Sequence, residues 1–320
     1  MKVKNSLFFR SFAFILAGLV TFLPVTSVLA GPVPTSSDNP HTPVASDGSQ
    51  IDPHAPGSDD IVQTDNGAYS KGAKGNNVRQ WERFVTDGRK SPSATADKPS
   101  TESIIGSDSR TRVKDPSVYP YRAIVHIESN IGNCTGWMIG SDTVATAGHC
   151  VYDPDSKKWA SWAKVYPGRN GDEAPFGSAN AKRFYSVTGW TVQGNHNHDY
   201  GAIKLDKSVG NQTGWFGYRW QSGSLNGVNE NISGYPGDKD YGTQWEHRDQ
   251  IRETTTYKLI YNNDTYAGQS GAPVYQDSYQ NCGVCSLAIH ANGVYGGKNS
   301  NRGTRITKEV FHNLNIWKNQ

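Results

Sequence analysis

The sequence contains no run of basic residues, and its 32 Lys and Arg are nearly balanced by 29 Asp and Glu. Because the charges are scattered, nothing in their pattern indicates binding to nucleic acid or to a membrane surface. Only one stretch, within residues 1–30, is apolar enough to enter a bilayer. We therefore expect no nucleic-acid partner, and no membrane contact once that stretch has been removed.

The N-terminal stretch has the three parts of a secretory signal peptide. Three basic residues precede an apolar segment at 12–23, and Val-Leu-Ala ends at Ala30. A positive start, an apolar centre and small residues at the end are typical of a cleaved export signal. A membrane anchor is the alternative, but the apolar segment is shorter than the roughly 20 residues that span a bilayer. Residues 1–30 therefore predict export, and the mature protein is expected to be secreted and extracellular.

Residues 31–102 are rich in Pro, Ser, Asp, Gly and Thr and show little apolar periodicity. Such a segment buries too little apolar surface to offset the entropy of ordering it. We interpret it as a propeptide that is removed after Glu102, although a linker would have the same composition. The remaining residues, 103–320, have the length of one compact domain, which we expect to be monomeric.

The chain has four cysteines, Cys134, Cys150, Cys282 and Cys285, all beyond the predicted propeptide. An even number in an exported chain favours disulfides, and three connectivities are possible. The most local one pairs Cys134 with Cys150, beside His149, and Cys282 with Cys285. A zinc site would need a second close pair of ligands, which the spacing of Cys134 and Cys150 does not supply. We expect disulfides, and no metal or other cofactor.

Short runs of β-branched or alternating residues recur along 103–320, separated by turn signals that contain Gly or Pro. The runs are 123–127, 143–147, 164–166, 202–205, 231–232, 258–261, 272–275 and 286–290. Many short strands at this spacing predict an all-β barrel or sandwich. One helix is predicted at the C-terminus, where Thr307 can cap it and apolar residues recur at helical spacing as far as Trp317.

Three segments carry residues suited to nucleophilic catalysis. They are Thr-Ala-Gly-His-Cys around His149, His-Asp-Tyr-Gly around Asp199 and Gly-Gln-Ser-Gly around Ser270. A serine hydroxyl needs a base to accept its proton during attack, and imidazole suits that role because its pKa lies near 7. A buried carboxylate holds the imidazole in the required tautomer. The segments therefore predict Ser270 as nucleophile, His149 as base and Asp199 as orienting carboxylate.

In the order His, Asp, Ser, these segments resemble those of the chymotrypsin-like serine proteases, and the resemblance covers residues 113–318. Four segments resemble the secreted Bacillus glutamyl endopeptidases more narrowly. They are Asn-Cys-Thr-Gly-Trp at 133–137, Tyr-Pro-Gly-Asp-Lys at 235–239, Gly-Gln-Ser-Gly at 268–271 and His-Ala-Asn-Gly-Val-Tyr-Gly at 290–296. The resemblance implies a chymotrypsin-like double β-barrel, a signal peptide with a propeptide, and cleavage of protein or peptide substrates after Glu, less readily after Asp.

Other acidic residues compete with Asp199 for the role of orienting carboxylate. Asp206 lies seven residues further on, and Asp153 and Asp155 follow His149 closely. The family pattern and the apolar run after Asp199 favour Asp199.

Two histidines beside Asp199 offer a metal site as an alternative. His196 and His198 would supply ring nitrogens and Asp199 a carboxylate, which is a legitimate ligand set. Exposed loop histidines are the commoner outcome, so we expect no metal here.

Glycines around Ser270 indicate how negative charge on the substrate carbonyl oxygen would be stabilised. The backbone N–H groups of Gly268 and Ser270 can form an oxyanion hole if the loop turns sharply, and Gly268 permits the unusual dihedrals. In trypsin-type enzymes an Asp stands directly before the serine and pairs with the new N-terminus. Here that residue is Gln269, so the sequence departs from the pattern that supports activation by this ion pair.

Two predictions compete for the residue preferred before the cut. Asp264 lies six residues before Ser270, where trypsin-type enzymes place the acid that binds Lys or Arg. The glutamyl endopeptidases share an Asp-Thr-Tyr run here, which favours an Asp264 that is turned into a hydrogen-bond network. Thr265 and His290 would then line the pocket, and the amine freed at Ser103 would add positive charge nearby. A carboxylate in this pocket would favour the protonated form of His290.

Two function classes fit this scaffold: an active endopeptidase and a catalytically silent, secreted binding module. A silent relative is expected to have lost one of His149, Asp199 and Ser270, and all three are present. The sequence therefore favours the active enzyme.

Overall fold

Antiparallel strands make up most of the computed structural model, which describes residues 39–52, 60–80, 82–83, 103–294 and 299–320. All of these residues belong to one unit, Asn39–Gln320. The predicted signal peptide at 1–30, and Glu102 at the predicted propeptide junction, lie outside the described residues. Within the described part of the chain, no helix has the length and apolar character needed to cross a membrane.

The strands of the N-terminal half are β1 (Pro43–Ala45), β2 (Ile61–Thr64), β3 (Gly67–Ser70), β4 (Glu82–Arg83), β5 (Thr111–Arg112), β6 (Ile124–Ser129), β7 (Gly132–Met138), β8 (Thr143–Thr146), β9 (Tyr152–Asp153), β10 (Lys158–Trp159), β11 (Ala163–Pro167), β12 (Glu173–Ala174), β13 (Ala179–Val187) and β14 (Gly201–Leu205). Those of the C-terminal half are β15 (Gly217–Gln221), β16 (Asn229–Gly234), β17 (Trp245–Gln250), β18 (Glu253–Thr254), β19 (Lys258–Tyr261), β20 (Pro273–Tyr279), β21 (Gly283–Asn292) and β22 (Asn301–Arg305). The helices are α1 (Thr188–Thr191), α2 (Gly210–Thr213) and α3 (Lys308–Lys318), with 3-10 turns at Tyr121–Ala123, Gly148–Cys150, His196–His198 and Gln280–Cys282.

The first sheet closes into a barrel. Its strands follow the order β1-β13-β11-β6-β7-β8-β14, and β14 pairs back to β13. Ile127, Val144 and Ile203, from three of these strands, are fully buried, and burying each such side chain contributes about 1.5–3 kcal/mol. In the closed sheet Thr146 of β8 lies opposite Gly201 of β14. The residue after β8 and the residue before β14 are therefore brought to the same end of the barrel.

The second sheet curls in a similar way. Its main path is β18-β19-β22-β21-β20-β16-β17-β5. β17 and β18 lie near opposite ends of this path, yet only two residues separate them in the chain, so the sheet returns on itself. It has its own apolar core, built from Leu225, Ile232, Ile251, Leu259, Tyr261, Ala272, Val274, Leu287 and Ala288.

The predicted all-β double barrel with a C-terminal helix is confirmed. Each of the eight predicted runs overlaps a strand, and the predicted helix is α3. Thr307 caps this helix, since its Oγ1 accepts a hydrogen bond from Val310 N at 3.3 Å. Val310, Leu314 and Trp317 are buried, as the periodicity predicts.

Helix α3 supports the segment that carries Asp199. Asn313 Nδ2 donates to Tyr200 Oη at 2.8 Å, and Tyr218 Oη donates to Asn315 Oδ1 at 2.9 Å. All four of these side chains are buried. The helix therefore holds Tyr200, the residue after Asp199, against the barrel wall.

Of the three possible disulfide connectivities, the structure has the most local one. Cys134 and Cys150 are joined with their Cα atoms 6.1 Å apart, and Cys282 and Cys285 with theirs 5.6 Å apart. The first bond ties β7 to the turn that carries His149. Closing that loop contributes about 3 kcal/mol through the unfolded state.

Part of the predicted propeptide is folded against the barrels, which its composition did not lead us to expect. β1 pairs with β13, with Pro43 opposite Val187, and β3 pairs with β15, with Tyr69 opposite Arg219. β2 pairs in turn with β3. A segment without a core of its own can gain backbone hydrogen bonds and burial by extending an existing sheet. Ala68 and Tyr69 are buried in this way.

Candidate active site

The three segments predicted to carry the chemistry lie at strand ends. His149 is on the turn after β8, Asp199 stands two residues before β14, and Ser270 shortly precedes β20 of the second sheet. Thr135 N of the first barrel donates to Ser270 O at 2.8 Å. Cys150 Sγ lies 3.6 Å from the same carbonyl oxygen. The residue next to His149 therefore touches the main chain of Ser270, and the site lies where the two barrels meet.

His149 and Asp199 form a two-point contact. The His149 Nδ1 lies 2.8 Å from Asp199 Oδ2, and the His149 backbone N–H donates to Oδ1 at 2.9 Å. Asp199 is fully buried, and both of its carboxylate oxygens bind the same residue. Because Nδ1 faces a carboxylate, it carries the proton, and Nε2 is the acceptor of the ring. A general base for a serine hydroxyl requires this tautomer.

Charges around Asp199 keep it ionised in spite of its burial. Burial alone would raise the pKa of the Asp199 carboxyl, but His149 and the Lys258 ammonium hold it below its ordinary value. Burial lowers the pKa of Lys258 to about 8, against the opposing effect of Asp199. Lys258 Nζ donates to Asn292 Oδ1 at 3.0 Å and to Thr304 Oγ1 at 2.9 Å. Thr304 Oγ1 donates to the Asp199 carbonyl at 2.8 Å, which links Lys258 to Asp199.

Two of the competing carboxylates bind other groups. Asp206 accepts two hydrogen bonds from Asn180, both at 2.9 Å. Asp153 accepts from the backbone N–H of Asp155 at 3.1 Å and from the Ser156 hydroxyl at 2.8 Å.

Among the described residues, His196, His198 and Asp199 do not form a group close enough to share an ion. The ring of His196 packs against Trp190 at 5.6 Å between centroids, and that of His198 against His41 at 4.6 Å.

The turn before Ser270 has a conformation that needs glycine. Gly268 has a φ of 101°, and a Cβ at this position would lie 2.5 Å from the Tyr235 carbonyl oxygen. Thr135 binds both flanking carbonyls: its Oγ1 donates to Gly268 O at 2.8 Å, and its N–H donates to Ser270 O at 2.8 Å. Because Thr135 is fully buried, both carbonyls point into the protein.

Asp264 is already hydrogen-bonded within the protein. Its side chain is 1% exposed, and its carboxylate accepts backbone N–H groups of Ile105 at 2.6 Å and Ser109 at 2.8 Å. The Asp264 N–H donates to His247 Nδ1 at 2.7 Å. This network ties the start of the predicted mature chain to the loop before Ser270.

Ser103, Thr265 and His290, the residues predicted to meet the substrate side chain, have different partners. Ser103 O accepts from Thr265 N at 3.2 Å and from Asn301 Nδ2 at 2.7 Å. Thr265 is fully buried, and among the described residues its Oγ1 has no hydrogen-bond partner. His290 Nδ1 lies 2.6 Å from Tyr261 Oη. The structure thus joins Ser103 directly to Thr265, whereas Tyr261 anchors His290.

The His290 ring is neutral in the free protein. Burial, and to a smaller extent the neighbouring His149 and Lys258, lowers its pKa to about 3. The expected preference for the protonated ring therefore requires a bound carboxylate, because burial without an opposite charge disfavours the cation.

Two buried cations near the site were not predicted. The side chain of Arg110 is fully buried between Asp108 and Asp238, and its Nη1 lies 3.4 Å from Gln269 Oε1. Lys258 lies in a run of strand-forming residues, Tyr-Lys-Leu-Ile-Tyr, which is the signal that its strand is buried on both faces. No comparable signal surrounds Arg110 in the sequence.

Comparison with known proteins adds four similarities. The trypsin family profile matches residues 108–307. The glutamyl endopeptidase of Bacillus licheniformis is 51% identical over 309 residues, which cover 94% of this chain and 96% of that protein. An extracellular metalloprotease of Bacillus subtilis is 47% identical over 225 residues, which cover 68% of this chain and 70% of that protein.

One solved structure, a Glu endopeptidase in complex with MPD, is similar to this chain with a TM-score of 0.63 and 34% identity. The match covers 68% of this chain and 100% of that chain.

The name of the Bacillus subtilis relative implies a metal, and the donors here do not suit one. Within the described part of the chain, one group of His, Cys, Asp or Glu donors is close enough to share an ion. It consists of Cys134, His149 and Cys150. The two cysteines form a disulfide, so they offer no thiolate, and His149 Nδ1 is bound to Asp199.

Replacing Asp264 by Ala is expected to destabilise the protein. The change leaves the N–H groups of Ile105 and Ser109 without their acceptor, at a cost of about 1–3 kcal/mol each. Asp277→Ala is the matched control, because Asp277 forms an exposed ion pair with Arg248, which contributes about 1 kcal/mol or less. Urea unfolding measures both, and equal losses in the two variants would contradict the assignment of Asp264 as a buried acceptor.

Proposed function

The chain belongs to the trypsin family of serine proteases, and we propose that it is a secreted endopeptidase that cleaves after Glu, and less readily after Asp. The observation that carries the proposal is the two-point contact between His149 and buried Asp199, beside the turn of Ser270. This arrangement supplies a base of the correct tautomer, its orienting carboxylate and a serine nucleophile.

In the first half of the reaction, Ser270 Oγ attacks the substrate carbonyl carbon while His149 Nε2 takes the serine proton. Asp199 holds the ring and stabilises the imidazolium. Negative charge develops on the carbonyl oxygen, and the N–H groups of Gly268 and Ser270 donate to it. Each such donor lowers the barrier by about 3 kcal/mol.

The tetrahedral intermediate collapses when the C–N bond breaks and His149 gives its proton to the leaving amine. The acyl group remains on Ser270 Oγ as an ester. A water molecule then attacks the ester carbonyl while His149 takes a proton from it. That proton returns to Ser270 Oγ as the acid product leaves.

Three features support a preference for Glu. The relative from Bacillus licheniformis is a glutamyl endopeptidase. A substrate carboxylate would supply the acceptor that the buried Thr265 hydroxyl lacks among the described residues. Asp264, the acid that would attract Arg or Lys, has both oxygens bound to backbone N–H groups. A buried carboxylate needs such donors, because leaving water without them costs several kcal/mol.

An amine released at Ser103 would add positive charge to this pocket. In the uncut chain Ser103 N donates to Asn301 Oδ1 at 3.2 Å, and its carbonyl binds Thr265 N. A new ammonium at this point attracts a carboxylate at Thr265, and the attraction strengthens as water is excluded. A cut after Glu102 also follows the specificity proposed for the enzyme itself.

The domain organisation proposed with this function is a signal peptide at 1–30, a propeptide at 31–102 and a mature protease at 103–320. The mature enzyme acts outside the cell, as a monomer, on protein or peptide substrates.

The first prediction from this function concerns the triad. Ser270→Ala and His149→Ala are each expected to lower kcat by about 10⁶-fold, and Asp199→Asn by about 10⁴-fold through the wrong tautomer. Asp206→Asn is the control, because Asp206 is a surface carboxylate outside the site. Initial rates on a chromogenic Glu peptide measure the effect, and circular dichroism checks the fold. Near-normal turnover by folded Ser270→Ala would exclude Ser270 as the nucleophile.

The second prediction concerns specificity. Thr265→Val keeps the side-chain shape but removes the hydroxyl, and we expect kcat/KM for a Glu peptide to fall about 10- to 100-fold. The rate on a matched Gln peptide should change much less. His290→Ala is expected to act in the same direction. Peptides that differ only in Glu, Gln or Arg before the cut provide the measurement, and a clear preference for Arg would overturn the assignment of the pocket.

The third prediction concerns processing. The secreted form is expected to begin at Ser103, because the composition changes abruptly at Glu102. Glu102→Gln should slow the appearance of this N-terminus if the enzyme makes the cut itself. N-terminal sequencing of the culture supernatant provides the measurement. A fully active form that begins far from residue 103 would rule out this boundary.

A further inference from the structure

Arg110 occupies a buried position behind the turn that carries Ser270. Its side chain is 0% exposed, and its Nε donates to Asp108 Oδ1 at 2.9 Å. Its Nη1 and Nη2 donate to the two oxygens of Asp238 at 3.0 and 2.5 Å. Lys239 Nζ binds Asp108 at 2.7 Å, so two cations balance two carboxylates. A forked guanidinium–carboxylate pair of this kind fixes geometry as well as charge.

Gln269 links this cluster to the turn. Its Oε1 accepts from Arg110 Nη1 at 3.4 Å and from Tyr266 N at 3.1 Å. Its backbone N–H donates to Tyr266 O at 3.0 Å, and its carbonyl accepts from Ala272 N at 2.9 Å. Gln269 is fully buried. A displacement of Arg110 would therefore move the residue directly before Ser270.

Asp238 gives Arg110 a second connection to the same turn. The neighbouring Gly237 N donates to Ala267 O at 2.7 Å. Two residues further back, the Tyr235 carbonyl lies so close to Gly268 that a Cβ would be 2.5 Å away. Through Asp238, Arg110 therefore also fixes the backbone that packs behind Gly268.

These contacts are formed in the uncut chain. In trypsin-type enzymes the residue before the serine is an Asp that pairs with the amine made by cleavage. Here that residue is the uncharged Gln269, and Ser103 N is bound to Asn301 Oδ1. The cation behind the turn is Arg110, an internal residue that is in place before any cut.

We propose that Arg110 is a positioning residue that holds the Gly268–Ser270 turn in its working conformation independently of cleavage after Glu102. Cleavage then changes the pocket at Ser103 rather than the turn. The inference rests on the proposed function, because the turn matters for catalysis only if Ser270 is the nucleophile.

The first experiment compares the uncut chain with the processed enzyme. Glu102→Gln removes the predicted cleavage signal, and a fluorophosphonate reports on the serine: the Oγ–P bond forms, and fluoride leaves with the hydroxyl proton. We expect the fluorophosphonate to label the uncut variant at a rate within about fivefold of that of the processed enzyme, because the turn is already in place. A turn that lacked one oxyanion donor would slow labelling about 100-fold or more. For a Glu peptide, the kcat/KM of the uncut variant should be about tenfold lower than that of the processed enzyme. Reaction confined to the processed form would overturn the proposal.

The second experiment changes Arg110 in the processed enzyme. Arg110→Lys keeps the charge but loses the fork, and we expect kcat per titrated active site to fall about 10- to 100-fold with little change in KM. Lys239→Met is the matched control, because Lys239 belongs to the same cluster through Asp108 but, within the described part of the chain, makes no hydrogen bond to Gln269. Adding Gln269→Glu to Arg110→Lys should restore part of kcat by pairing the two charges.

The outcomes separate a positioning role from a structural one. A lower melting temperature with unchanged kcat per titrated site and unchanged probe rate would mean that Arg110 only stabilises the fold, which overturns the proposal. If Arg110→Lys does not fold, Gln269→Ala cuts the same link without disturbing the charges and should show the same loss of kcat. Failure of the proposed function is recognised separately, because wild-type enzyme would then not be labelled at Ser270.

Discussion

The buried negative charge of Asp199 is the constraint on which the rest of the site depends. An unpaired carboxylate at such a position would take up a proton rather than remain charged. His149 binds both carboxylate oxygens of Asp199. Lys258 adds a buried positive charge nearby, and Thr304 links it to Asp199 by hydrogen bonds. Lys258 and Thr304 belong to strands β19 and β22 of the second sheet, whereas His149 and Asp199 lie in turns that flank strands β8 and β14 of the first. The charge balance of the pair is therefore complete only when both barrels have formed.

The described part of the predicted propeptide reaches the same region from another side. His41 Nδ1 lies 2.9 Å from the hydroxyl of Tyr200, and Asn313 of α3 donates to both Tyr200 Oη and His41 O at 2.8 Å. Burial lowers the pKa of His41, which favours the neutral ring in this contact. Strand pairing to β13 and β15 supplies the remaining attachment. A segment that lacks a core of its own is thus ordered by pairing with sheet edges and by hydrogen bonds to polar groups of the domain that follows it.

The sequence predicted the features that short motifs or local periodicity mark, and it missed contacts between distant residues that no motif marks. The triad motifs could be read because catalysis restricts residue types within a few positions of His149 and Ser270. Strand β17, Trp-Glu-His-Arg-Asp-Gln, was not predicted, because its mostly polar side chains do not show the apolar pattern of a strand. It pairs with β16 through its backbone. Arg110 was missed for a similar reason, since 159 residues separate it from Gln269. The strands of the predicted propeptide likewise depend on sheet edges far along the chain.

Three attachments bind the first residues of the predicted mature chain to the loop that precedes Ser270. Ser103 O binds Thr265 N, the Asp264 carboxylate binds the backbone at 105 and 109, and Arg110 binds Gln269. A cut at the proposed junction preserves all three, whereas a cut only a few residues later would remove the first and weaken the second. The acid that trypsin-type specificity would place in the pocket is here an anchor for the N-terminal segment. Residues 103–110 therefore link three properties: the position of the cleavage site, the residues that line the pocket and the support of the turn that carries Ser270.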